Sequence, residues 1–175
     1  MRQNSRTKIM SEGFTLIEML VAIAIIGILA TVVIASLSSA RMKGRNARRV
    51  SDLKQLQLAV VEYYDLNSGF PSTGGVWYSS AIGDQVDNNG GNWIPGLKPK
   101  YVETLPTDPG GTKSADAACA TAKAAYRYKS DGVSYKILSN CAPEGAWESS
   151  DPFYDPMRPA YAWMVCGGNT ACNTW

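Results

Sequence analysis

The chain has 175 residues, with 17 Lys plus Arg against 15 Asp plus Glu, no histidine and four cysteines. The length fits one compact domain, and a net charge of +2 gives no reason to expect nucleic acid as a specific partner. Without histidine there is no imidazole base, no imidazole metal ligand and no Ser-His or Cys-His pair, so neither an enzyme nor a metal or cofactor is expected.

The charge is unevenly placed. Residues 1–50 hold eight basic and two acidic side chains, net +6, whereas residues 51–175 hold nine basic and 13 acidic, net −4. Such asymmetry accompanies a membrane or targeting element at one end. That element follows a short hydrophilic stretch, residues 1–13: from Phe14 to Leu37 the only charged residue is Glu18. As a helix the 24-residue run would be about 36 Å long, enough to cross a hydrocarbon core of about 30 Å. A buried helix of a soluble protein would need apolar partners on every side. A secretory signal would have a shorter apolar region, and a plain anchor leaves Glu18 unexplained. An acidic residue near the middle of a spanning helix costs about 2.5–3.5 kcal/mol and normally has a partner. No cation lies within the run.

Beyond the membrane, Val50, Leu53, Leu56, Val60 and Tyr63 recur at spacings of three or four, with Ala47 assigned to the same face and Lys54, Gln55 and Glu62 off it. Asn67-Ser68-Gly69 before Phe70-Pro71 stops the helix, so one long helix is predicted over 14–67, with 14–37 the membrane-spanning half. Between the halves, five cations from Arg41 to Arg49 with no acid among them suit lipid head groups, or acidic side chains of neighbouring subunits. Simple counting of cations on the two sides of the apolar run would place the carboxy-terminal part in the cytoplasm; the cysteines argue for the opposite side.

Residues 68–175 read as a globular head. The stretch 68–110 is predicted to be mainly loop, rich in Gly, Ser, Asn and Pro, with Trp77, Tyr78 and Trp93 as anchors. Asp84, Asp87, Asn88 and Asn89 offer oxygen ligands there, but the spacing of an EF-hand with its terminal Glu is missing. Strands are predicted at 124–130 and 133–139, joined by a two-residue turn at Asp131-Gly132, and a third at 160–166. A two-residue turn sets Tyr128 opposite Tyr135, Tyr126 opposite Ile137 and Arg127 opposite Lys136; the like-charged pair would face water.

All four cysteines, Cys119, Cys141, Cys166 and Cys172, fall in the head, which points to two disulfides and an oxidising compartment. Of three possible connectivities, Cys119 with Cys141 and Cys166 with Cys172 is preferred. The second pair closes a short Gly- and Asn-bearing loop, and the first ties the segment before the hairpin to its exit.

Residues 13–30, Gly-Phe-Thr-Leu-Ile-Glu-Met-Leu-Val-Ala-Ile-Ala-Ile-Ile-Gly-Ile-Leu-Ala, closely resemble the amino-terminal signature of type IV pilins and type II secretion pseudopilins. The resemblance implies a leader, residues 1–13, cut between Gly13 and Phe14 by a prepilin peptidase, followed by N-methylation of Phe14. It implies that Glu18 meets the Phe14 amine of a neighbouring subunit during assembly, which gives the lone carboxylate a cation that the precursor lacks. Many pilins carry a proline in this region; here the first proline is Pro71, so any local melting would centre on Gly27 or on Ser36 to Ser39.

Leu105-Pro-Thr-Asp-Pro109 and Asn140-Cys-Ala-Pro-Glu-Gly145 loosely resemble the head of major pseudopilins, although Gly110-Gly111 stands where an aromatic residue often follows, and the family's calcium loop does not map onto this sequence. The implied fold is α+β, a long N-terminal helix packed on a small antiparallel sheet. The expected function is structural: a subunit that waits in the cytoplasmic membrane with its head outside the cytoplasm and polymerises with identical copies on a membrane assembly platform into an extracellular filament. A pseudopilin of a secretion or DNA-uptake system is the alternative, and a membrane-anchored binding module, with Trp77, Tyr78, Trp93, Trp147 and Trp175 as an adhesive surface, the third reading. Removing the leader leaves 14 basic and 14 acidic side chains, a formally neutral subunit.

Overall fold

The computed structural model describes residues 14–84, 86, 90–168 and 171–175. Residues 1–13, the expected leader with Gly13, and the loop residues Asp87, Asn88 and Asn89 lie outside the described residues. The chain divides into two compact units, residues 1–40 and 41–175.

One helix, α1 (Leu16–Asn67), contributes to both units. Gly27 and Ser36 to Ser39 all lie within it; the hydroxyls of Thr31 and Ser36 donate to the carbonyls of Ile28 and Val32, which satisfies them inside an apolar run. Its end falls on the expected stop. Ser68 adopts a left-handed φ of 56° and donates its N–H to the Tyr64 carbonyl, while the Asn67 side chain donates to the Tyr63 carbonyl and to the Tyr101 hydroxyl.

In residues 41–175 the sheet is four-stranded and antiparallel throughout, in the order β1 (Tyr78–Ser79), β2 (Ala125–Ser130), β3 (Tyr135–Asn140), β4 (Ala162–Gly167). A single-turn helix, α2 (Ala171–Thr174), follows. Leu53, Leu56, Ala59 and Val60 of α1 are buried with Tyr126, Tyr128, Tyr135, Ile137 and Val165 of the sheet and with Trp93, Ile94 and Leu97. Each fully buried Leu or Val contributes about 1.5–3 kcal/mol, so this stripe is what fixes the helix to the head.

Three sequence expectations change here. Ala47 is exposed, because the steps 47, 50 and 53 are each three residues and lag the helical repeat by about 60° per step; Ala59 and Arg49 take the buried places instead. The hairpin loop has four residues, 131–134, since Asp131 Oδ1 accepts the N–H groups of both Val133 and Ser134 and Gly132 takes a φ of 94°. The register therefore moves by two: Tyr128 pairs with Ile137 and Lys129, not Arg127, pairs with Lys136. A shift of two keeps every side chain on its face, so the tyrosine-rich face still meets the helix.

The third change concerns the other sheet face. Lys136 is fully buried, its ammonium donating to Asp155 Oδ1 at 2.8 Å and to the main-chain oxygen of Trp175 at 2.7 Å. Burial pushes its pKa down, opposed by Asp155. Arg127 makes two bonds to Asp84. Both acids arrive from loops, so a pair expected in water is covered and neutralised. The two-residue strand β1 was also not foreseen within the predicted loop.

Candidate assembly site

Every apolar side chain described between Phe14 and Leu37 is exposed, Phe14 at 85% and Leu16 at 91%. Among the described residues nothing covers this surface, and the helix is long and apolar enough to cross a membrane. Its first turn is chemically specific. Thr15 and Glu18 form a reciprocal capping box: Glu18 Oε2 accepts from the Thr15 N–H at 2.8 Å and from the Thr15 hydroxyl at 2.7 Å, and the Glu18 N–H donates to Thr15 Oγ1 at 3.3 Å. Helix starts leave unpartnered N–H groups and a partial positive charge; the carboxylate answers both. Glu18 in the single subunit is therefore not a carboxylate without donors. Thr15 was the residue overlooked, and the Thr-x-x-Glu spacing at the start of an apolar run was the signal for it. Phe14, whose amine the cleavage would free, is the residue immediately before the cap.

A second polar cluster lies where α1 meets the head. Arg49 is 1% exposed and contacts Asp108 through Nε and Nη2 at 2.8 and 3.1 Å, Glu144 Oε1 at 3.2 Å and the Gly110 carbonyl at 2.6 Å. Arg45 makes a bidentate pair with Glu144 at 2.7 and 2.6 Å, and Asn46 donates to the Glu144 carbonyl at 2.6 Å. The Arg45 hydrogen bond is the main cause that holds the Glu144 carboxyl at about 2, well below the usual range, with the Thr112 N–H and Arg49 adding to it against burial. The Arg49 guanidinium is pushed up: desolvation opposes its charge, and the hydrogen bonds and attraction of Asp108 and Glu144 outweigh it.

Two of the five cations assigned to lipid or to neighbours are thus internal ties; Arg41, Lys43 and Arg48 remain exposed. The cluster also accounts for Gly110-Gly111. The Gly110 carbonyl is an Arg49 acceptor, and Gly111, at φ 120°, lies so close that a Cβ would overlap the Glu144 carboxylate and the Arg45 guanidinium. Gly111→Ala is expected to lower the stability of the head by about 1–3 kcal/mol, read as an earlier thermal transition in circular dichroism.

Disulfides join Cys119 to Cys141 and Cys166 to Cys172. Among the described residues no group of three or more His, Cys, Asp or Glu is placed to hold a metal. Of the oxygen-rich loop only Asp84 is described, and its carboxylate accepts from Arg127, the Ser79 hydroxyl and the Lys123 N–H. Of the five aromatics considered as an adhesive surface, Trp93 is buried. Trp77 and Trp175 flank Lys129 at 5.8 and 5.0 Å and Trp147 packs edge-on against Trp163.

The family described as the prokaryotic N-terminal methylation motif matches residues 10–34. The type II secretion system core protein G of Klebsiella pneumoniae is 29% identical over 141 residues, 80% of this chain and 90% of the relative. The protein of that name in Escherichia coli (strain K12) is 33% identical over 100 residues, 57% of this chain and 67% of the relative. That of Pectobacterium carotovorum subsp. carotovorum is 33% identical over 101 residues, 58% of this chain and 63% of the relative. No solved structure matches significantly.

Proposed function

The chain belongs to the pilin and pseudopilin family, and from this we propose that it is a pseudopilin, the subunit of a filament serving a type II secretion system. The observation that carries the choice over a surface pilus is the reach of the similarity. An alignment of 141 residues extends well past the amino-terminal signature into the head, and the relatives it meets are named for secretion.

In this reading the precursor sits in the cytoplasmic membrane with its head outside the cytoplasm. A prepilin peptidase cuts after Gly13, and the new Phe14 amine is methylated. Among lipid tails the apolar surface of residues 14–37 is already at rest, because the tails are as apolar as leucine. Once the helix leaves the bilayer each such side chain costs about 1.5–3 kcal/mol if left in water, so a subunit leaves only as neighbours cover it. Glu18 exchanges the two donors of Thr15 for the ammonium of a neighbour's Phe14, and this fixes the axial position of each subunit.

The test is to delete the gene and follow two readouts. Folded secreted proteins are expected to stay inside the cell envelope, while filaments sheared from the cell surface are unchanged in electron micrographs. Continued secretion together with loss of long surface filaments would favour the extracellular pilus instead.

A further inference from the structure

An open cavity of about 370 Å³ lies beside Met42, close to where the head-bearing part of α1 begins. That volume is within the range of small-ligand sites, about 300–1,000 Å³. Met42, Pro143, Trp147 and Ala160 give it apolar walls, and Lys113 and Ser114 line it as well. Its donors are only partly used. The Lys113 ammonium has three N–H groups and donates to the Ala120 and Ala122 carbonyls, each at 3.1 Å. The Ser114 hydroxyl accepts from the Asp116 N–H at 3.2 Å, which leaves its own O–H to donate. The indole N–H of Trp147 is enclosed and has no acceptor among the described residues, a state that buried donors seldom keep. Glu144, the carboxylate in the lining, is already taken by Arg45, Arg49 and the Thr112 N–H, so it does not set the sign of the site.

Charge and position indicate what such a site would hold. Arg41 and Lys43 stand on either side of Met42 in sequence, and both are exposed. The ion pairs of α1 use Arg45, Arg48 and Arg49; among the described residues none uses Arg41 or Lys43. Met42 comes five residues after Leu37 in the same helix, about 7.5 Å of rise, and the head-group layer on each side of a hydrocarbon core is about 5–8 Å deep. Tryptophan favours that same depth. Cations here oppose the positive-inside tendency; an anionic lipid would neutralise them where they are. We propose that the cavity is a binding site for the head group of an anionic phospholipid. The phosphate takes Lys113, Ser114 and Trp147 as donors, Arg41 and Lys43 draw in the anionic lipid, and Met42 and Trp147 cover its glycerol. Each exposed cation near an anionic surface is worth about fivefold in affinity. The lipid sets the depth at which the subunit waits in the bilayer, and it is shed when the helix leaves.

The inference rests on the membrane placement proposed above, and the test separates the two. The full chain is reconstituted into phosphatidylcholine nanodiscs that hold a fixed fraction of one labelled lipid, either phosphatidylglycerol or phosphatidylcholine spin-labelled high on its acyl chain. Quenching of tryptophan fluorescence is then measured. Labelled phosphatidylglycerol is expected to quench at least about twofold more than labelled phosphatidylcholine. Trp147→Phe should remove most of that excess. Arg41→Glu combined with Lys43→Glu, or Lys113→Glu alone, should lower it by about half or more, with the circular dichroism of the head unchanged. Equal quenching by the two lipids, or an excess that survives Trp147→Phe or the charge reversals, would overturn the site while the membrane placement stands. An excess abolished by millimolar inorganic phosphate would assign the cavity to free phosphate and overturn the lipid. A chain that fails to enter the discs would overturn both.

Discussion

A Glu18→Val subunit is expected to reach the membrane, lose its leader and form almost no filaments. The magnitudes separate the two roles of this side chain. In the single subunit Glu18 closes a capping box with Thr15, an arrangement whose loss costs a helix about 0.5–2 kcal/mol; the membrane-spanning helix and the separate core of the head tolerate that. In the proposed filament the same loss would leave the neighbour's Phe14 ammonium in an apolar core without its anion, at a cost of about 3–5 kcal/mol per subunit. Thr15→Ala is the control, because it removes the cap and keeps the carboxylate. It is expected to assemble at close to the normal level, and both variants are read by the release of folded secreted proteins beside immunoblots of the processed subunit in the membrane fraction. Normal secretion by the Glu18→Val subunit would remove Glu18 from assembly.

The second large effect lies at Arg49. Arg49→Ala withdraws the guanidinium from Asp108 and Glu144, both only 5% exposed in their side chains. It should destabilise the head by about 3–5 kcal/mol, roughly 10–20 °C in the thermal transition of the detergent-solubilised chain. The cluster also sets an acid limit. Glu144 has a folded pKa of about 2 against an ordinary 4.5, so between these values the unfolded chain holds a proton that the folded chain lacks. Its contribution is complete above pH 4.5 and is lost as pH falls toward 2. Glu144→Gln is expected to flatten stability across that window while lowering it at neutral pH, which denaturant titrations at a series of pH values would show. An unchanged slope would remove Glu144 as the titrating group.

What could be read in the sequence was what depends on near neighbours along the chain. The apolar run, Glu18 as its only charge and the stripe Leu53, Leu56 and Val60 are local patterns; of the three cysteine connectivities the preferred one rested on a short loop for 166 with 172 and on the hairpin's exit for 119 with 141. The faces of the hairpin survived a register error because that error was even, and the error arose from a side chain, Asp131, closing the loop in a way that Asp-Gly alone does not dictate. The polar cores were not legible. Arg49 meets Asp108 and Glu144 at separations of 59 and 95 residues, and Lys136 meets Asp155 across 19 residues. Read along the chain, Arg45 and Arg49 were two more cations in a basic cluster.

Arg45, Asn46 and Arg49 occupy successive places on one helical turn, and together they hold two head segments 36 residues apart in sequence, at Asp108 and at Glu144. The tie joins residues 45–49 of the helix to both segments, so a force that separates helix from head must break charge-assisted bonds at Asp108 and at Glu144 together.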